Sequence, residues 1–203
     1  MELEISSTVL VPRSDTETVV EAALDFLKSR DKPCIVDIGT GSGAIALALA
    51  KELPEAEVLA IDISEKALRT AKRNARRNNL RIRFLRCDIL EPGIANTMPM
   101  FDAVCSNPPY IPSDEIDSLQ PEVSDYEPRI ALDGGKDGLD FHRAIAVFAE
   151  KRLKKGGRVF IETAAGQAEK VQEMYNNTWL KYIGVRRDLA GIARVLIAER
   201  RGI

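Results

Sequence analysis

Asn107-Pro108-Pro109-Tyr110 follows the apolar run Phe101-Asp102-Ala103-Val104-Cys105, which reads as a buried strand, and its residue types are those of a rigid polar surface. Proline lacks an N–H, fixes φ and pushes the residue before it into the extended region, so Asn107 and Pro108 are both held extended and a hydrogen-bonded turn is disfavoured. The loop carbonyls and the Asn107 side chain are then left facing outward beside the flat Tyr110 ring, as a clamp for a ligand. A second group lies upstream. Asp37-Ile38-Gly39-Thr40-Gly41-Ser42-Gly43 sits where a strand turns into a helix, where glycine lets the backbone approach a ligand closely and the helix start offers free N–H groups. Asp62 ends the next strand, where a carboxylate can accept from both hydroxyls of a ribose. Asp88, followed by Ile89, ends the strand after that, within reach of an adenine amino group. Gly39, Gly41 and Ala44 also fit the dinucleotide fingerprint G-x-G-x-x-A, and Asp62 or Asp88 alone fits a turn or a helix cap. Acids at both strand ends together favour a nucleoside-bearing cofactor.

The elements that must position these residues follow from periodicity. Ser14 or Asp15 can cap a helix running to about Arg30, with Val19, Val20, Ala23, Leu24 and Leu27 at helical spacing. Residues 33–38 read as a strand, 43–53 as a helix, 57–61 as a strand, 64–78 as a helix, and 82–87 and 101–105 as strands. Strands alternating with helices predict a parallel sheet covered on both faces. Residues 139–153 read as a helix, 158–162 as a strand and 167–175 as a helix. The last strands, 182–187 and 194–199, are separated by six residues, too few for a crossover helix, so they should pair antiparallel. Between Ile111 and Lys136 no clear period appears, as in a lid or binding loop.

A chain of 203 residues, 45% hydrophobic, can bury one sizeable core, and one domain over residues 1–203 is expected. A net charge of −2 gives no global attraction to nucleic acid or to an anionic membrane. The start of the chain has no basic leader, and the longest apolar run, Ala44 to Ala50, is far below membrane-spanning length, so a cytoplasmic protein is expected. Cys34, Cys87 and Cys105 are odd in number and scattered, against a disulfide framework or metal-ligand spacing, and are read as small core residues in strands. His142, the one histidine, is placed on a solvated helix surface and cannot build a metal site alone. The basic run Lys66, Arg69, Lys72, Arg73, Arg76, Arg77 lies opposite Ala67, Leu68, Ala71 and Ala75 and reads as a solvated helix face.

A sheet closing in an antiparallel hairpin, with Asn-Pro-Pro-Tyr after the fourth strand, resembles the class I S-adenosylmethionine-dependent methyltransferases, which are Rossmann-like α/β proteins with a mostly parallel seven-stranded sheet. Further motifs are similar to the HemK/PrmC family: Val11-Pro12-Arg13-Ser14-Asp15-Thr16-Glu17, Tyr126-Glu127-Pro128-Arg129, Ala131-Leu132-Asp133-Gly134-Gly135, Asp137-Gly138-Leu139 and Arg187-Asp188-Leu189-Ala190-Gly191. Members of that family methylate the glutamine amide nitrogen in the Gly-Gly-Gln motif of peptide-chain release factors. The resemblance implies that Asp37, Gly39, Thr40, Gly41, Ser42, Gly43, Asp62, Asp88, Ile89 and Asn107 bind S-adenosylmethionine. It also implies that Asn107, Pro108, Pro109 and Tyr110 hold the substrate, with Asn107, Pro108 and Tyr110 as the catalytic set and no metal. The family's usual N-terminal helical domain has no counterpart in these residues, and its Pro-Arg-Pro is Pro12-Arg13-Ser14 here.

An amide nitrogen is a poor nucleophile because its lone pair is delocalised, so orientation must carry most of the catalysis. The two N–H donors of a primary amide match the Asn107 side-chain oxygen and the Pro108 carbonyl, with Tyr110 packed on the flat amide. Asp114, Glu115, Asp117, Glu122, Asp125 and Glu127, close to the clamp in sequence, repel phosphates and suit a basic protein segment. Adenine amino-methyltransferases of DNA or RNA share the Asn-Pro-Pro-Tyr motif and are the alternative, although no segment is left over for target reading. A non-catalytic cofactor-binding scaffold would leave the clamp without a purpose.

Overall fold

The structure is a computed structural model that describes residues 1–6, 9–12, 14–120, 127–188 and 190–202. The described residues form seven strands: β1 Cys34–Ile38, β2 Glu57–Asp62, β3 Arg83–Arg86, β4 Phe101–Ser106, β5 Leu153–Glu162, β6 Leu180–Arg187 and β7 Ala193–Arg200. They also form five α-helices: α1 Ser14–Leu27, α2 Ala44–Glu52, α3 Glu65–Arg77, α4 Asp140–Arg152 and α5 Ala168–Asn176. The strands make one sheet in the order β3-β2-β1-β4-β5-β7-β6. β1 to β5 run parallel, and β7 is antiparallel to β5 and to β6, the latter as the short final connection requires. This is the doubly wound, Rossmann-like α/β architecture expected of the sequence.

Strand alternation sends the apolar residues to two cores. Val36, Ile38, Val104 and Ile161 face Ile145 and Phe148 of α4 and Val171 and Tyr175 of α5. Ile35, Ala103, Cys105 and Phe160 face Val19 and Leu27 of α1 and Ile45 and Leu49 of α2. The central strand β4 is buried along its whole length, as a parallel strand covered on both faces must be. α3 is capped by Ser64, whose hydroxyl oxygen accepts from Ala67 N at 3.2 Å. It buries Ala67, Leu68, Ala71 and Ala75 and leaves its basic residues outward, with Arg73 paired to Glu4.

Several expectations are corrected. His142 is fully buried in α4, its Nε2 3.2 Å from the Glu162 carbonyl oxygen, and desolvation drives its pKa down to about 4, so the ring is neutral. The motif Asp-Phe-His-Arg at the α4 start hides the fact that position 142 faces the sheet one turn before Ile145 and Ala146. Cys34 is only half-buried, and Cys87 lies just past the end of β3. β5 begins at Leu153, five residues early, because Leu153 pairs with Phe101 before a register shift brings Arg158 opposite Ala103. The described residues of the 111–136 connection carry the little regular structure expected, the 3₁₀ turns Ile116–Ser118 and Arg129–Ala131 and a parallel bridge of Ile111 with Asp133. No described helix is long and apolar enough to cross a membrane.

Candidate active site

Strand register brings the two sequence motifs together. Ile38, the last residue of β1, lies opposite Ser106, the last of β4, and the Ser106 hydroxyl donates to the Ile38 carbonyl at 2.7 Å. Beyond this tie the chains part, β1 into the glycine loop and β4 into Asn107. The order of the strands reverses here, since β1 leads outward through β2 and β3 on one side and meets β4 on the other. Ligands bind at such switch points, outside the carboxyl ends of the strands. Ile38 also pairs with Ile61, and Asp62 with Arg86, so Asp62 and then Asp88 and Ile89 follow around the same rim. A cleft results, lined by Gly39, Thr40, Gly41, Asp62, Asp88 and Asn107. Ser42, Ile89, Pro108 and Pro109 also line it, whereas Asp37, Gly43 and Tyr110 stand outside the lining.

The glycine loop spends its donors on the protein itself. Gly39 N and Thr40 N donate to the Ile61 carbonyl at 2.9 and 3.0 Å, Gly41 N to Asp62 Oδ2 at 2.9 Å, and Gly43 N to the Thr40 carbonyl at 2.8 Å. The buried Asp37 carboxylate sits at the start of α2, where Oδ2 accepts from Ala46 N at 3.2 Å and from the Thr40 hydroxyl at 2.6 Å. An anionic pyrophosphate needs such N–H groups, and here Asp62 holds Gly41 N, Asp37 holds Ala46 N, and backbone carbonyls hold Gly39 N, Thr40 N and Gly43 N. No lysine or arginine is among the described lining residues. The cleft therefore suits a cationic, nucleoside-bearing ligand such as a sulfonium, with Asp62 and Asp88 contributing negative charge. Burial raises the pKa of Asp62, against the bonds from Gly41 and Ser64 that favour its charged form. Asp37 goes further, to about 7, because it is fully desolvated. Gly43, at φ 89°, brings α2 against α3: a Cβ there would lie 2.5 Å from Leu47 Cδ1 and 3.2 Å from Ala71 Cβ. Cys87 also lines the cleft, and burial beside Asp88 and Glu91 lifts its pKa to about 11, so it is a thiol and no nucleophile.

On the opposite wall, Asn107 Nδ2 donates to the Thr16 hydroxyl at 3.1 Å, and that hydroxyl donates to Glu162 Oε2 at 3.3 Å. With its amide nitrogen engaged, Asn107 has its oxygen left to accept. The Tyr110 backbone is gripped from behind. Its carbonyl accepts from Gln167 Nε2 at 2.9 Å, Ile111 N donates to the Leu132 carbonyl, and Gly134 N donates to the Ile111 carbonyl. Of the acidic residues of the connection, Asp114 and Glu115 are exposed and Asp117 is paired with Arg129. Glu122 and Asp125 lie outside the described residues, as do Arg13, Tyr126 and Leu189 of the sequence motifs.

Residues 15–119 match the Methyltransferase small domain family. A release factor glutamine methyltransferase of Geobacter sulfurreducens is 43% identical over 97% of this chain and 67% of its own length. One from Gloeobacter violaceus is 45% identical over 97% of this chain and 69% of its own. The chain belongs to the release factor glutamine methyltransferase family. It is an enzyme of the S-adenosylmethionine-dependent class, and it spans about two thirds of the length of these relatives. A solved methyltransferase from Pyrococcus furiosus, 21% identical, superposes with a TM-score of 0.71 over 100% of this chain and 90% of its own, which carries the fold.

Around this candidate site, Thr16 and Gln167, which bond Asn107 and Tyr110, and Glu162, which bonds Thr16, were not singled out from sequence. Thr16 lay within a quoted motif but without a role. Glu162 carried a legible signal, a carboxylate at the end of the apolar run Val159-Phe160-Ile161. Gln167 carried none, since its bond to Tyr110 spans 57 positions.

Proposed function

We propose that this chain methylates the side-chain amide nitrogen of a glutamine in a protein, the Gly-Gly-Gln glutamine of a peptide-chain release factor. Family membership supplies the class, and the observation that carries the reading here is the joining of glycine loop and clamp across one β1–β4 tie. S-adenosylmethionine, when bound, supplies a methyl group made electrophilic by its sulfonium. Gly39, Thr40, Gly41, Asp62, Asp88 and Ile89, which line one cleft, are the residues read here as holding it. The Asn107 oxygen and the Pro108 carbonyl accept the two amide hydrogens of the glutamine, which fixes the plane of the amide and turns its nitrogen toward the methyl group. Such orientation can supply about 7–11 kcal/mol. The prolines keep this edge rigid and without competing donors. His142 is buried and neutral, and no group of three metal-ligating side chains occurs among the described residues. Positioning is what these residues offer. Gly-Gly ahead of the glutamine lets an extended backbone enter without side-chain clashes.

The test is competition between a purified release factor and adenine-containing single-stranded and duplex oligonucleotides, with methyl-labelled cofactor and mass spectrometry to place the label. Label on the glutamine is the expected result. Label on adenine, with none on glutamine, would overturn the reading.

A further inference from the structure

We propose that Thr16 and Glu162 form a buried polarity relay that fixes the amide of Asn107 with its oxygen, not its nitrogen, toward the substrate. The proposal rests on the reading of Asn107 as the acceptor for the substrate amide, and it makes Thr16 and Glu162 positioning residues. An asparagine side chain is close to symmetric in shape, and a flip about its last bond exchanges an acceptor for two donors. A flipped Asn107 would present N–H groups to the N–H groups of a substrate amide and repel it. Something must therefore decide the orientation, and the order of the bonds does so. Glu162 is 1% exposed, and a carboxylate offers acceptors only. The Thr16 hydroxyl, 7% exposed, has a single hydrogen, which goes to Glu162 Oε2. What Thr16 then turns to Asn107 is a lone pair, and a lone pair takes the amide nitrogen. The three residues come from α1, β5 and the end of β4, separated by 91 and 146 positions, so the relay exists only in the folded chain. A second tie steadies its base: the Glu162 carbonyl lies 3.2 Å from Nε2 of the buried His142.

Replacing Glu162 by glutamine separates polarity from packing. Glu162→Gln keeps the shape but supplies an N–H to the Thr16 oxygen. The Thr16 hydrogen is then released toward Asn107, which favours the flipped amide. Thr16→Val keeps the volume and removes the hydroxyl, and Thr16→Ser restores it. The expected result is a fall in kcat of about tenfold to a hundredfold in Glu162→Gln and Thr16→Val, with turnover near wild type in Thr16→Ser. The S-adenosylmethionine dissociation constant should stay within about twofold in all three. In an Asn107→Ala background the same changes should cost almost nothing further, because residues acting through one group are non-additive. A readout independent of turnover is the Asn107 side-chain N–H pair in ¹⁵N NMR of the free protein. It should be slow to exchange in wild type and Thr16→Ser and fast in Thr16→Val. Additive losses, full turnover in Thr16→Val and Glu162→Gln, or an unprotected Asn107 amide in the wild type would overturn the relay. If Asn107→Ala itself retains full activity, the reading of Asn107 fails instead, and the two failures are thereby told apart.

Discussion

Gly138 carries no chemistry of its own, yet it packs against the Tyr110 carbonyl of the proposed substrate clamp. A Cβ built there would lie 2.3 Å from the Tyr110 carbonyl oxygen, 2.9 Å from Gln167 Nε2 and 3.2 Å from Pro112 Cδ, and φ is 73°. Gly138→Ala must therefore do two things. Left-handed backbone costs a residue with a side chain about 1–2 kcal/mol, and forcing a methyl into packed surroundings adds about 1–3 kcal/mol. At about 2–4 °C per kcal/mol for a chain of this size, the midpoint of thermal unfolding should fall by about 4–20 °C, leaving the protein folded at room temperature. Relief of the contact to an ordinary 3.4 Å displaces the Tyr110 carbonyl by about 1 Å and breaks its bond from Gln167. Misplacement on that scale can cost about a hundredfold in rate. Cofactor affinity should hold, because the loop at Gly39 to Gly43 and the Asp62 carboxylate are tied to β1 and β2 and make no bond to this segment. The assay is single-turnover methyl transfer at saturating cofactor, with calorimetry for cofactor binding and circular dichroism for melting. Gln167→Ala, which removes the hydrogen bond without adding a methyl, should lose about tenfold in rate. Wild-type turnover in a Gly138→Ala protein whose melting point has fallen would show that the segment yields without moving the clamp, and would refute the reasoning.

Asp62→Asn should weaken S-adenosylmethionine binding by about 10- to 100-fold in calorimetry, since one of the two carboxylate oxygens that accept from Gly41 N and Ser64 N becomes a donor facing a donor; unchanged affinity would remove Asp62 from the site. Asp37→Asn should change how stability depends on pH. The pKa of Asp37 stands at about 7 in the fold because of burial, against 3.8 for the free side chain. Between those values the folded protein binds a proton that the unfolded chain has lost, so this group's contribution is fully present below pH 4 and is lost as pH rises through 7. Urea unfolding at pH 4 and pH 8 should show the wild type losing up to about 4 kcal/mol relative to the variant, and a constant difference between the two would exclude an elevated Asp37 pKa.

Much of the fold was legible because its signals are local. Apolar runs such as Cys34–Ile38 and Phe101–Ser106 announce central strands, since a parallel strand covered on both faces needs no polar alternation. The hairpin of β6 and β7 was legible by exclusion, six residues being too few for a crossover. The start of β5 was hidden because Lys154-Lys155-Gly156-Gly157 has the composition of a turn, and what extends the strand is the pairing of Leu153 with Phe101 across the sheet. His142 was misplaced for a related reason. A polar residue at a helix start is by default solvated, and only the packing of α4 on β5 supplies the Glu162 carbonyl that makes its burial tolerable.

The site divides along the same line. Glycines at a strand-to-helix turn and a proline pair after a strand constrain the backbone where they stand, so the sequence identifies them directly. What a side chain is bonded to depends on register. Asp37 was counted with the cofactor residues because it opens the glycine loop, but its carboxylate turns inward and binds the start of α2. It takes Ala46 N as Asp62 takes Gly41 N, so two of the N–H groups a pyrophosphate would use in a loop of this fingerprint are already bonded to carboxylates. The fingerprint records where glycines permit close approach, and the carboxylates decide which charge can use it. The proposed clamp shows the same division: Asn107-Pro108-Pro109-Tyr110 is legible where it stands, while the bonds from Thr16, Glu162 and Gln167 that support it come from residues remote in sequence.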